Sequence, residues 1–247
     1  MQTKFYAIDE HNQDITWDLQ SKGSHIHIEN NVGTSYGGDY WEHINPFPYI
    51  YKSKFDFEFD TVKDRVEEYI KESQKIIKEK KITTPERDGG ISGVVLHNKE
   101  GYYPNHDFPH NWFGSEFDEF IHDSIVTIWK ERHFSGTRKH IERSWINCHN
   151  KGGYTGEHLH HGINIACACY LKVPDNSGGL QIKNPLSAYD TGEPKVEDYY
   201  YEEHDWETIK VETNDVIFFP GWLVHRTQPN LVDEGRYVMS LNIKHIN

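Results

Sequence analysis

From Arg143 to Asn242 the chain is a succession of short aliphatic and aromatic runs separated by Gly, Pro, Asn and Asp, and few folds accept such a texture. The runs predict strands at 143–149, 163–173, 178–183, 207–212, 215–219, 222–227 and 236–243. None has the length or the 3.6-residue period of a helix. Many short strands at this spacing close into a sandwich or a barrel, so this stretch is expected to be all-β.

The residues before it read differently. Val62, Val66, Tyr69, Ile70, Ile76 and Ile77 form one helical stripe behind Asp60 and Thr61, with Lys75, Lys78, Lys80 and Lys81 suited to the negative end of the helix dipole. A helix is expected over 61–80. Phe117, Phe120, Ile121, Ile125, Ile128 and Trp129 behind Ser115 predict a second over 115–132. The first helix is expected to pack on the outer face of the β structure. Residues 1–59 read as irregular β or loop, and the acidic, Tyr-rich stretch from Leu186 to Trp206 reads as a long excursion. At 247 residues a single domain is expected over 1–247, with 1–142 as helical support and 143–247 as the β core.

Composition narrows the function classes. Lys and Arg number 26 against 39 Asp and Glu, for a net charge of -13, which repels a nucleic-acid backbone. No apolar run approaches the length of a membrane span, and no signal-like segment opens the sequence, so a cytoplasmic protein is expected. Cys148, Cys167 and Cys169 fit neither a disulfide framework nor a zinc ribbon.

The 17 histidines matter by position. On an extended segment His158 and His160 project to one face and can share a metal, whereas His161 and Glu157 project to the other. His225 follows the buried-strand sequence Asp215–Phe219 and the Pro220-Gly221 turn. Downstream, Arg236 opens the last strand, where an inward guanidinium suits a carboxylate. Each piece alone has a bland reading: a solvated pair, as at His25 and His27, or a satisfied core histidine. The ordered conjunction is more specific.

That conjunction resembles the Fe(II)/2-oxoglutarate-dependent oxygenases, in particular their prolyl-hydroxylase-like branch and its phage and bacterial members. The resemblance rests on Trp145 and Asn147, Gly153-Tyr154, His158–His161 and the strand Ile165–Leu171 ending at Tyr170. It continues with Pro174, Asn176-Ser177-Gly178-Gly179, Phe219-Pro220 to His225, and Arg236 with Ser240. It implies a mainly β fold with helical support and a double-stranded β-helix (jelly-roll) core. It further implies Fe(II) held by His158, His160 and His225, with 2-oxoglutarate as cosubstrate and O2 as oxidant. Arg236 would pair with the far carboxylate of 2-oxoglutarate and Tyr170 would hydrogen-bond it, with Asn147 and Ser240 bordering the pocket. A C–H bond of a peptide or small molecule would be hydroxylated, with release of succinate and CO2; neither nucleic acid nor membrane is an expected partner.

One departure stands out. The family's usual ligand set is two histidines and a carboxylate, and His160 stands where the carboxylate belongs. A three-histidine set also suits a cupin-like iron site or a zinc enzyme working without 2-oxoglutarate. A non-catalytic metal-binding or virion-associated module is a further alternative. Arg236 discriminates among them, since only the oxygenase reading gives that cation a task.

Overall fold

A computed structural model of the chain describes residues 4–8, 14–18, 42–45, 49–82, 86–87, 90–98, 108–131, 138–185 and 206–246. His25, His27 and the excursion 186–205 lie outside the described residues. In chain order the elements begin with β1 (Lys4–Ile8), β2 (Asp14–Asp18), β3 (Glu42–Asn45), β4 (Ile50–Lys54), α1 (Phe59–Lys80), β5 (Glu86–Arg87) and β6 (Gly90–Ser92). After α2 (Gly114–Glu131) come β7 (Arg138–His149), β8 (Tyr154–Thr155), β9 (Ile165–Lys172) and β10 (Leu180–Lys183). The chain continues through β11 (Trp206–Ile209), β12 (Asp215–Pro220), β13 (His225–Thr227) and β14 (Arg236–Ile246).

The strands of the second half form two facing sheets. The larger has seven strands in the order β3-β4-β12-β9-β14-β7-β6, and the smaller has the order β11-β10-β13. His158 bridges His225 and so extends the smaller sheet beyond β13. Within the larger sheet the pairs β7/β14, β14/β9 and β9/β12 are all antiparallel, and from β9 to β12 and from β12 to β14 the chain crosses to the smaller sheet and back. This is the double-stranded β-helix (jelly roll), in a mainly β protein with helical support.

Strand parity divides the larger sheet into two faces. Cys167, Cys169, Met239, Leu241 and Ile146 face outward into the core beneath the helices, with Val66, Tyr69, Ile70 and Ile76 of α1 and Phe117, Ile121, Ile125 and Ile128 of α2. The apolar stripes of both helices therefore cover the outer face of the barrel, as expected for the first. Ala166, Ala168, Tyr170, Ile217, Phe219 and Val238 face inward, opposite Leu180 and Ile182 of the smaller sheet. The three cysteines are buried and free.

Several expectations are refined. The first helix begins at Phe59, preceded by Glu58 in the left-handed region at φ 42°, while the Thr61 hydroxyl donates to Glu58 O at 2.8 Å rather than acting as an N-cap acceptor. The strand predicted at 222–227 is confined to β13, since Gly221–Val224 forms the turn that delivers it. The β core begins at Arg138, earlier than the predicted boundary at 143. The larger sheet also recruits β3 and β4, from the stretch 1–59 expected to be irregular β or loop, and β6, for which the sequence predicts no strand. Lys52 of β4 anchors one such addition by reaching the buried Asp215 carboxylate of β12 at 2.9 Å.

Candidate metal centre and its cavity

The open end of the barrel holds His158, His160 and His225. One potential ligand nitrogen from each lies within 4.8 Å of the others, close to the span of two metal–nitrogen bonds of about 2.1 Å each. Residues 156–164 form no regular strand, yet both His158 and His160 reach the site. His158 exchanges two backbone hydrogen bonds with His225 at 3.0 Å, and His160 N donates to Gly221 O at 2.8 Å. These bonds lace the loop to the turn before β13. They hold the pair in place much as an extended strand would.

The orientation of each ring follows from its Nδ1. That of His158 donates to Gly156 O at 2.8 Å and that of His225 to Leu223 O at 2.8 Å. That of His160 donates to Asn242 Oδ1 at 2.5 Å. All three acceptors are oxygens without a hydrogen, so each Nδ1 carries the proton and each Nε2 keeps a lone pair for a cation. The ring of His160 also stacks on Trp145, with centroids 5.8 Å apart. Burial pushes all three imidazoles below the usual histidine range, that of His160 to about 4 and that of His225 well below it. Neutral imidazole is the form that ligates metal.

His161 is exposed, and so is Glu157, whose carboxylate instead meets Lys183 at 3.0 Å. Neither belongs to the cluster of three.

The histidines open onto a cavity of about 230 Å³. Asn147, Tyr170 and Ser240 line it, as do the apolar Ala168, Leu180, Phe219 and Val238. The register explains their convergence: Val238 of β14 lies opposite Asn147 and Tyr170, and Ser240 opposite Trp145 and Ala168. Burial and the neighbouring charges of Asp215 and Cys169 raise the Tyr170 phenol above its usual range, against the opposing pull of the Arg236 charge. The phenol stays protonated and can donate.

Arg236 shares the inward face of β14, one step beyond Val238, and is fully buried. It is not among the lining residues. Its Nη1 donates to Ser177 O and, at 2.9 Å, to Gly178 O, while Nη2 donates to Gln228 O at 2.9 Å. Its Nε is buried without a partner. Among the described residues no carboxylate acts on its charge. The expected inward cation is present, but it sits behind the wall and is braced by carbonyls.

Sequence reasoning passed over His149, Thr155, Thr227, Arg143 and Asn242, all of which line the cavity. Nε2 of His149 lies 2.7 Å from Thr155 Oγ1, and Thr227 Oγ1 accepts from Thr155 N at 2.9 Å. Parity was the available signal: Arg143 and His149 share the parity, and so the face, of Trp145 and Asn147 along β7, and Asn242 shares that of Ser240 on β14.

Residues 143–242 match the family described as "Putative 2OG-Fe(II) oxygenase". No curated protein matches the sequence. Among solved structures, the chain is similar to an oxidoreductase of the 2OG-Fe(II) oxygenase family from Burkholderia pseudomallei, with 16% identity and a TM-score of 0.38. That likeness covers 55% of this chain and 59% of the other, so the chain spans little more than half of that relative's length. A viral collagen prolyl hydroxylase from Paramecium Bursaria Chlorella virus-1, in complex with 2OG, is 14% identical over 81% of this chain and 98% of its own, with a TM-score of 0.45. A Pseudomonas putida prolyl-4-hydroxylase is 10% identical over 80% and 93%, with a TM-score of 0.46.

Proposed function

We propose, from the match of residues 143–242 to the family described as "Putative 2OG-Fe(II) oxygenase", that the chain binds Fe(II) through His158, His160 and His225 and couples 2-oxoglutarate turnover to hydroxylation of a C–H bond. The family's cofactors are Fe(II), 2-oxoglutarate and O2. The observation that carries the assignment is the set of three Nδ1–H groups tied to oxygens, which leaves each Nε2 a free lone pair in a cluster whose potential ligand atoms lie within 4.8 Å of one another. The orphaned Arg236 Nε, and the absence of a carboxylate beside that guanidinium among the described residues, fit a dianionic cosubstrate arriving from outside.

Bound there, Fe(II) and 2-oxoglutarate would let O2 act as the oxidant, one oxygen atom going into succinate as the oxoacid loses CO2 and the other into the hydroxylated C–H bond. The chain supplies the geometry. Gly156 O, Leu223 O and Asn242 Oδ1 fix the rings before the metal arrives, so that little ordering remains for binding. Tyr170, Asn147 and Ser240 offer hydrogen bonds to the cosubstrate from the cavity wall. Arg236 contributes its charge at the closed end, held in place by Ser177 O, Gly178 O and Gln228 O. Ala168, Leu180, Phe219 and Val238 limit water beside the reacting centre. The substrate is a peptide or a small molecule.

The test is formation of succinate from 2-oxoglutarate by the iron-loaded protein under O2, with zinc-loaded protein as the control. Succinate that requires Fe(II) supports the reading. Its absence across a panel of peptides and amino acids, or equal activity with zinc, overturns it in favour of a metalloenzyme that does not use 2-oxoglutarate.

A further inference from the structure

The geometry points to Arg143 as the residue that selects the substrate, by binding a carboxylate on it at the mouth of the cavity. The inference rests on the oxygenase reading of the three-histidine site and names the class of compound that the site accepts.

Charge distribution is the first support. Acidic residues outnumber basic ones 39 to 26 in the chain, yet among the described residues that line the cavity there is neither an Asp nor a Glu. His160 occupies the place where a carboxylate ligand would cancel one positive charge of a divalent ion. A divalent metal at the histidines and the guanidinium of Arg143 on the cavity wall would face a single dianionic cosubstrate, with the charge of Arg236 behind that wall. With 2-oxoglutarate bound between the metal and the Arg236 end, the positive charge that remains uncompensated includes that of Arg143.

Position is the second support. Arg143 lies opposite Asn242 in the β7/β14 register, and Asn242 is the residue that holds His160. Arg143 is thus on the inward face at the metal end of the cavity, two residues from Trp145, whose indole stacks on His160. It is partly buried and lines the cavity. Among the described residues it has no carboxylate, carbonyl or aromatic partner, in contrast with Arg236, whose Nη atoms donate to three backbone carbonyls, and with Arg226, which bonds Gln181 at 2.8 Å and covers Trp206. A guanidinium fork in such a place matches a carboxylate in two-point fashion and holds the rest of the molecule toward the metal.

The test uses anaerobic Fe(II)-loaded protein saturated with 2-oxoglutarate, titrated calorimetrically with N-acetylglycine and with its neutral counterpart N-acetylglycinamide. The acid is expected to bind the wild type about 10-fold more tightly than the amide, a preference lost in Arg143→Gln and largely kept in Arg143→Lys. Free amino acids and acidic peptides, each paired with its amide, then separate small-molecule from peptide sources of the same carboxylate. Equal affinity for acid and amide in the wild type, or an undiminished preference in Arg143→Gln, overturns the assignment. Affinity for 2-oxoglutarate, measured first on the same samples, should be unchanged by Arg143→Gln. If 2-oxoglutarate fails to bind even the wild type, it is the oxygenase reading that fails.

Discussion

His160 Nδ1 donates to Asn242 Oδ1 across 2.5 Å, tying the loop that carries two of the three clustered histidines to the inward face of β14. Partners of this kind fix ring orientation and tautomer, and their removal commonly lowers metal affinity about 10- to 100-fold. Asn242→Leu is expected to weaken anaerobic Fe(II) binding within that range with little loss of fold. Asn242→Asp, which preserves an acceptor, should retain it. Calorimetric Fe(II) titration of the three proteins checks both expectations.

The turn before β13 is as important to the site as the ligands. A Cβ on Gly221 would lie 2.3 Å from Ile163 O, a backbone atom that cannot swing aside. Gly221 O also receives the amide of His160. Gly221→Ala should therefore cost about 1–3 kcal/mol of stability and reduce metal affinity as well. Denaturant unfolding and a parallel Fe(II) titration read the two effects. An Ala variant with wild-type values of both would show that the loop and turn are not packed as described.

His149 gives a pH dependence of known sign. Burial and the nearby Arg236 charge hold its imidazole well below the usual histidine range, so it is neutral in the folded chain. Unfolded, it takes up a proton near its ordinary pKa of about 6.5. The unfolded state thus binds more protons than the folded state as pH falls below that value, and stability declines by up to about 1.4 kcal/mol per pH unit from this group. Apo-protein denaturation midpoints between pH 7 and 5 should fall more steeply for the wild type than for His149→Phe. Equal slopes would contradict the buried neutral state.

Tyr170 shares its face with Ala166 and Ala168, whose small side chains leave space between the phenol and the metal end. Tyr170→Phe removes one hydroxyl and should weaken 2-oxoglutarate binding about 5- to 10-fold, the equivalent of one hydrogen bond. Fe(II) affinity should not change. A loss of iron binding in this variant would place Tyr170 in support of the ligands rather than of the cosubstrate.

Much of the fold was legible because the core strands have a period of two and the helices a stripe of 3.6. Ala166, Ala168 and Tyr170 sorted to one face and Cys167 and Cys169 to the other, as parity requires. The N-terminal strands were not legible. Glu42–Asn45 and Ile50–Lys54 lack clean alternation; Ile50–Lys54 is placed by pairing with β12 and by the Lys52–Asp215 ion pair, and Glu42–Asn45 by pairing with Ile50–Lys54. The clustered histidines could be found from spacing, although His158 and His160 reach the site through backbone bonds to the β13 turn rather than along a strand. The setting of Arg236 could not be found this way. Its inward direction follows from parity, but its bonds to Ser177, Gly178 and Gln228 depend on two distant turns meeting behind the cavity.

The most direct test of the central claim is anaerobic Fe(II) binding, with and without 2-oxoglutarate, to the wild type, His225→Ala and His161→Ala. One ion per chain, tightened by 2-oxoglutarate, is predicted for the wild type and for His161→Ala, with tight binding abolished in His225→Ala. Equal losses in the two variants, or retention of tight iron by His225→Ala, would contradict a centre built from His158, His160 and His225.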